Sequence, residues 1–129
     1  MKKMFKKIVA SVMAVSTLSV GTIGMNVNAY GNTDTFTVNG VSVTKSIDAY
    51  KSSASAYTNT TSQKCSFVYV SLTCDYSSTG SKSDHFSATR GKVRVSMPAE
   101  SGKSFSKAKS YHSATVSGVS DDRSMTVYV

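Results

Sequence analysis

From Phe36 onward the chain alternates with a period of two, and no stretch after the first thirty residues carries the i, i+3, i+4 apolar spacing of a helix. In Phe36-Thr37-Val38-Asn39-Gly40-Val41-Ser42-Val43, an Asn-Gly pair sits between β-branched runs. A two-residue hairpin turn needs positive φ at both central positions, which Asn and Gly tolerate, so a tight hairpin is expected there. Ile47 to Tyr57 alternates more loosely, with Ala and Ser in place of large residues. Such small side chains suit an edge strand or a place where two sheets approach closely. Asn59 to Lys64 reads as a turn. Cys65 to Tyr76 is the most strongly patterned segment, with Ser66, Val68, Val70, Leu72, Cys74 and Tyr76 on one face and Cys65, Phe67, Tyr69, Ser71 and Thr73 on the other. Apolar groups on both faces at its centre predict an interior strand. Ser77 to Asp84 has the composition of a loop, and Phe86 to Met97 reads as strand with Arg90-Gly91 as a bulge or turn. Pro98 to Gly102 breaks the pattern, and Phe105 to Val116 and Ser124 to Val129 read as the last two strands. Six or seven short strands in about 100 residues predict an all-β fold, a single antiparallel β-sandwich.

The first 29 residues have a different character. Met1 to Lys7 is cationic, Ile8 to Val20 is mostly apolar, and Val27-Asn28-Ala29 places compact residues three and one positions before Tyr30. That is the layout of a secretory signal peptide with cleavage after Ala29, leaving one domain over residues 30–129 and an extracellular destination. Ser11, Ser16, Thr17, Ser19 and Thr22 dilute the apolar run below the roughly 20 strongly apolar residues of a membrane span. The Lys-rich start has a Gram-positive look.

Charge then needs re-reading. The full chain has fifteen Lys and Arg against seven Asp and Glu, a net +8 that suggests nucleic acid. Residues 30–129 hold eleven of those cations and all seven anions, a net of +4. With export expected and no recognition motif present, nucleic acid is not an expected partner. The surplus is uneven, with Lys82, Arg90, Lys92, Arg94, Lys103, Lys107 and Lys109 in the C-terminal half. Alternation puts Lys92 and Arg94 on one face of their strand, and Phe105, Lys107, Lys109 and Tyr111 on one face of theirs. The expectation is a cationic, aromatic-edged sheet face, formed by Lys92, Arg94, Lys107, Lys109 and Tyr111, that meets anionic cell-envelope polymer or lipid headgroups. The competing expectation is a solvated face whose lysines discourage edge pairing.

Other chemistry finds little support. Asp84-His85 with one of 22 serines in residues 30–129 can be written as a triad, but adjacent residues of a strand point to opposite faces, and no Gly-x-Ser-x-Gly elbow is present. Most of the carboxylates Asp34, Asp48, Asp75, Asp84, Glu100, Asp121 and Asp122 sit in or beside loops, without the pairing of a glycosidase or the spacing of a calcium loop. No cofactor and no metal is expected. Cys65 and Cys74 are nine positions apart on one strand, so they face opposite sides with Cα atoms roughly 30 Å apart. A disulfide needs about 4.4–6.8 Å. They read as two partly buried thiols.

The segment Ser110-Tyr111-His112-Ser113-Ala114-Thr115-Val116 resembles the lactococcin-type β-sandwich bacteriocins, small exported Gram-positive proteins that block cell-wall synthesis. The likeness covers seven residues. Members are typically Trp- and Gly-rich near the mature N-terminus, whereas this chain has no Trp and carries two Cys. A broader likeness is to uncharacterised Ser/Thr-rich exported β-proteins of Firmicutes. The expectation is a small, secreted, non-catalytic β-sandwich, a binding or structural module at the cell envelope or in the medium. The resemblance implies the alternative, a bacteriocin-like antagonist of related bacteria acting at the cell wall.

Overall fold

The computed structural model describes residues 30–129; the expected signal peptide, residues 1–29, lies outside the described residues. All regular structure among these residues is strand: β1 (Tyr30–Val38), β2 (Val41–Ala49), β3 (Ser53–Thr60), β4 (Cys65–Tyr76), β5 (Ser81–Ala88), β6 (Gly91–Pro98), β7 (Phe105–Val116) and β8 (Val119–Tyr128). They form two four-stranded sheets with orders β1-β2-β3-β6 and β5-β4-β7-β8, every pair antiparallel. This is the expected β-sandwich, with eight strands where six or seven were counted.

The expected Asn39-Gly40 hairpin is present, with Val38 opposite Val41 and φ of 47° and 79° at the turn. A second turn of the same kind, Ser117-Gly118 (φ 50° and 79°), joins β7 to β8 with Val116 opposite Val119. It starts β8 five residues before the strand expected from Ser124. Two further expectations need correction. Ser81 to Asp84 is not loop but the first half of β5, paired with Leu72 to Asp75 of β4. The run from Phe86 to Met97 is also not one strand. It breaks at Arg90-Gly91 (Gly91 φ 92°) into β5 in one sheet and β6 in the other. The inward positions are even-numbered before the break (Phe86, Ala88) and odd-numbered after it (Val93, Val95, Met97), so the phase of the alternation shifts where the chain changes sheet.

β3 is interior to its sheet and lies across β4, so the small Ala54 and Ala56 occupy a close approach of two sheets rather than an edge. β4 is interior as expected, between β5 and β7. A register shift between Cys65 and Phe67 adds one residue to β4. This bulge rotates Cys65 onto the inner face with Val68, leaving Ser66 and Phe67 exposed. Cys65 and Cys74 therefore share a face, contrary to expectation, although both remain free thiols at opposite ends of the strand.

The core is built from Phe36, Val38, Val43, Ile47, Val68, Val70, Leu72, Val95, Phe105 and Val116, closed at one end by Tyr76 packed against Phe105 (centroids 5.1 Å apart). A polar layer crosses its middle. Asp34, Lys45 and Thr58 are partners across β1, β2 and β3, while Arg123 and His112 are partners across β8 and β7. Lys45 is buried and its Nζ lies 3.4 Å from Asp34 Oδ2. The two open sides of the sandwich each carry a cation. Lys82 of β5 donates to the Pro98 carbonyl at the end of β6 (2.7 Å), and Arg123 of β8 lies 5.2 Å from the Phe36 ring of β1. Charges so placed also discourage pairing with another chain.

Candidate functional site

The outer face of the β5-β4-β7-β8 sheet follows from its register. Reading across the four strands, one row is Ser87, Tyr69, Ser113 and Asp122, and the next is His85, Ser71, Tyr111 and Ser124. Below them lie Ser83, Thr73, Lys109 and Thr126, then Ser81, Asp75, Lys107 and Tyr128. Above them, Phe67 faces Thr115, which faces Ser120. The background is Ser and Thr, as expected for the solvent side of an antiparallel sheet. Against it stands a cluster of aromatic rings. Tyr69 is its hub, with centroids 6.1 Å from Phe67, 5.9 Å from His85 and 6.0 Å from Tyr111. Phe67 and Tyr69 are near parallel (19°), while Tyr111 meets Tyr69 at 72°. Phe67 is 40% and Tyr111 39% exposed, so large aromatic surface faces water.

The bulge in β4 contributes directly. Strict alternation would carry Cys65 to this side; the added residue instead sends Cys65 inward, with Phe67 and Tyr69 remaining outward. Charge on the face is balanced, with Lys107 and Lys109 against Asp75 and Asp122. Lys107 lies 3.6 Å from Asp75. The nearby Asp122 carboxylate raises the Tyr111 phenol above its ordinary pKa.

The five residues expected to make one cationic face do not come together. Lys107, Lys109 and Tyr111 lie on β7, on the face just described, whereas Phe105, expected beside them, is turned into the core by the register shift that pairs Lys107 with Asp75 and Phe105 with Tyr76. Lys92 and Arg94 lie on β6, on the outer face of the other sheet, where they flank Tyr57 at 4.2 Å and 5.3 Å from its centroid. The two groups point away from opposite sides of the sandwich. The reason is topological: β6 and β7 are consecutive in sequence but belong to different sheets. Residues facing out from one sheet can never share a surface with those facing out from the other.

The serine–histidine pairing falls elsewhere than the sequence suggested. Asp84 and His85 do point to opposite faces, Asp84 paired with inward Leu72 and His85 with outward Ser71. His112 is the histidine that has a serine. Ser110 Oγ lies 2.6 Å from His112 Nε2, Thr58 Oγ1 lies 2.8 Å from His112 Nδ1, and Thr58 Oγ1 donates to the Tyr69 carbonyl at 2.9 Å. Only one proton arrangement satisfies all three contacts. Ser110 donates to Nε2, Nδ1–H donates to Thr58, and Thr58 donates to Tyr69. All three side chains are buried, and His112 is 0% exposed. Burial, then the nearby Lys45 charge, pushes the His112 pKa down to about 4, against a hydrogen bond to the Tyr57 backbone that favours the charged form. The imidazole is therefore a neutral structural link between the sheets. A Ser-x-His spacing on one strand face was the available signal, but its partner Thr58 is 54 residues away.

The thiols offer no reactive centre. Burial, then the neighbouring Asp75 charge, pushes the Cys74 pKa up to about 12, and Cys65 Sγ donates to the Phe67 carbonyl at 3.4 Å. Among the described residues, no three of His, Cys, Asp and Glu gather as metal ligands would. An open hollow lined by Tyr50, Ser53, Ala54, Ser55, Ser96, Met97 and Pro98 lies along β3 and β6, with no titratable group beyond Tyr50.

No protein-family model matches the chain, and neither the curated proteins nor the solved structures contain a significant match to it.

Proposed function

We propose that the chain is an exported, non-catalytic binding module acting at the cell envelope or in the surrounding medium, and that its working surface is the aromatic face of the β5-β4-β7-β8 sheet. One observation carries this reading: Phe67, Tyr69, His85 and Tyr111 form a contiguous ring cluster on the solvent side of a sheet otherwise covered in hydroxyls. Pairs of rings on a sheet face add only about 0.2–1 kcal/mol each to its stability, whereas contiguous exposed apolar surface on a small protein marks a site of interaction. The non-catalytic part is supported by the fate of the nucleophile and base types. Ser110 and His112 are both sealed in the core, and the exposed His85 points away from its neighbour Asp84.

The segment that resembles the bacteriocins is strand β7, where Ser110, His112, Ala114 and Val116 are buried and Tyr111, Ser113 and Thr115 face out. Its pattern follows the alternation of a strand with a polar core layer, and a bacteriocin-like antagonist remains the alternative reading.

Two measurements test the proposal. Protein made from the full-length sequence in a Gram-positive host should appear in the medium with an intact mass beginning at Tyr30; retention in the cytoplasm at full mass would contradict export. The secreted protein should co-sediment with washed cell envelopes, and Tyr69→Ser with Tyr111→Ser should leave it in the supernatant. Undiminished sedimentation of that variant would contradict the assignment of the face.

A further inference from the structure

We infer that the ligand of the aromatic face is an uncharged polysaccharide, held by stacking of sugar rings on Phe67, Tyr69 and Tyr111 and by hydrogen bonds with the surrounding Ser and Thr hydroxyls and the accepting Asp122 carboxylate. The inference rests on the binding-module reading and adds the chemical class of what is bound.

Three features of the face select this class over others. The first is charge. Its two cations and two anions cancel, and Lys107 is held near Asp75. An anionic polymer or an acidic membrane would meet no surplus of positive charge, and such surfaces are recognised by clusters of unpaired Lys and Arg. Single-stranded nucleic acid also stacks on aromatic rings, but it needs a basic track along its backbone. The second is the absence of aliphatic side chains. No Leu, Ile, Val or Met stands among the outward positions around the rings, so there is nothing to enter a lipid layer. The third is the abundance of hydroxyls. Ser71, Ser87, Ser113, Ser124, Thr73 and Thr115 surround the rings. Serine is depleted at protein–protein interfaces, so the composition disfavours a protein partner or a second copy.

A sugar ring matches all three. Its C–H groups form apolar patches that pack on aromatic faces, and its hydroxyl rim both donates and accepts. Ser and Thr hydroxyls do the same, and the Asp122 carboxylate beside Tyr111 accepts. The cluster spans three strands: Phe67 and Tyr69 follow one another along β4, with Tyr111 and His85 on the strands to either side. A surface several rings long fits consecutive units of a polymer better than a single sugar. Weak contacts repeated along a chain then act together.

The test uses protein expressed from the full-length sequence and purified as produced. Its depletion from solution is measured over insoluble cellulose, chitin, β-1,3-glucan, mannan and starch, and over vesicles of anionic phosphatidylglycerol, at about 0.05 M and about 0.5 M NaCl, where screening lengths differ severalfold. The expected result is retention on at least one of the five polysaccharides, changed less than twofold by salt, and none on the vesicles. Tyr69→Ser with Tyr111→Ser should weaken retention at least tenfold. Tyr69→Phe with Tyr111→Phe should keep most of it, because the rings remain; this pair preserves the test if the serine variant fails a circular-dichroism check of folding. Lys92→Ser with Arg94→Ser should bind as the wild type.

Absence of retention on all five polysaccharides would overturn the inference. So would retention on the vesicles alone that disappears at high salt. If the vesicle binding is lost with Tyr69→Ser and Tyr111→Ser, the aromatic face remains the binding surface and only the ligand class is wrong. If polysaccharide binding survives that substitution but fails with Lys92→Ser and Arg94→Ser, the surface itself is wrong. Concentration-dependent self-association abolished by Tyr69→Ser and Tyr111→Ser would make the face a contact between copies and overturn the polysaccharide assignment.

Discussion

The two outer faces of the sandwich are built from the same materials and differ in one respect. Both are mostly Ser and Thr, and both carry tyrosine. On the β1-β2-β3-β6 sheet Tyr57 is flanked by Lys92 and Arg94, and Arg94 also reaches Ser55 Oγ at 3.4 Å. On the β5-β4-β7-β8 sheet the rings touch one another and carry no cation over their shared cluster. A cation over an aromatic face satisfies the ring's quadrupole and covers its surface. Tyr57 is thus an aromatic residue already supplied with partners, whereas Phe67 and Tyr111 keep their surface for something outside the molecule. Aromatic content alone does not mark a binding face; what stands over the rings does.

The largest effect should come from removing rings on the second sheet. Aromatic anchors that become buried at a binding surface cost about 2 kcal/mol each on truncation, so Tyr69→Ser with Tyr111→Ser should weaken ligand binding on the order of a thousandfold. Tyr57→Ser on the other sheet should leave binding unchanged. An isothermal titration or depletion assay that found the two variants equal would abolish the distinction between the faces.

Next comes the link between the sheets. Tyr111 projects outward between Ser110 and His112, whose inward side chains are fixed by hydrogen bonds. His112→Ala leaves a cavity and orphans Ser110 and Thr58, a loss of about 3 kcal/mol by denaturant unfolding. Hydrogen exchange should show β7 losing protection before β2 does. Equal loss in both sheets would mean the network does not specifically support the aromatic face.

Titration of the same residue gives a somewhat smaller effect. The folded protein holds His112 neutral, with its pKa lowered to about 4, whereas the unfolded chain takes up a proton near 6.5. The unfolded state therefore binds more protons between those values. This contribution to stability is complete above about pH 6.5, falls as pH drops toward 4, and is level below that. The full excursion is on the order of 3 kcal/mol, an upper bound that residual solvation reduces. Urea midpoints at pH 7.5, 5.5 and 4 should show the decline in the wild type and a flatter profile in His112→Gln. Parallel profiles would show that other groups carry the acid sensitivity.

The smallest effect is the most useful control. Lys92→Ser with Arg94→Ser removes two exposed charges from the first sheet, a change expected within about 0.5 kcal/mol of wild-type stability, with binding intact. Loss of binding in this variant would transfer the function to the other face.

Much of this architecture was legible in the sequence, because period-two alternation and an Asn-Gly turn are local signals. Cys65 to Tyr76 announced an interior strand through apolar residues on both of its faces, and β4 is one. What escaped reading was the assignment of strands to sheets. Lys92 and Arg94 on β6, and Lys107, Lys109 and Tyr111 on β7, each share a face as alternation requires, yet the chain crosses from one sheet to the other between them. Nothing in a periodic pattern records that crossing. The bulge at Cys65–Phe67 was equally hidden, since one added residue reverses the facing of everything before it without altering composition. The aromatic cluster depends on pairing as well. Phe67 and Tyr69 are neighbours in sequence, but His85 and Tyr111 reach them only through the register of β5 and β7. His112 misled in the opposite sense, as a titratable residue near many serines whose real partners seal it inside.

The central claim is that the aromatic face receives an uncharged polysaccharide, and backbone amide shifts report it most directly. With isotope-labelled protein titrated against soluble oligosaccharide fragments of whichever polysaccharide retains it, amides of Phe67, Tyr69, His85, Tyr111, Ser113 and Asp122 should move together and saturate. Those of Tyr57, Lys92 and Arg94 should stay fixed. Shifts confined to Tyr57, Lys92 and Arg94, or none at saturating ligand, would contradict the account.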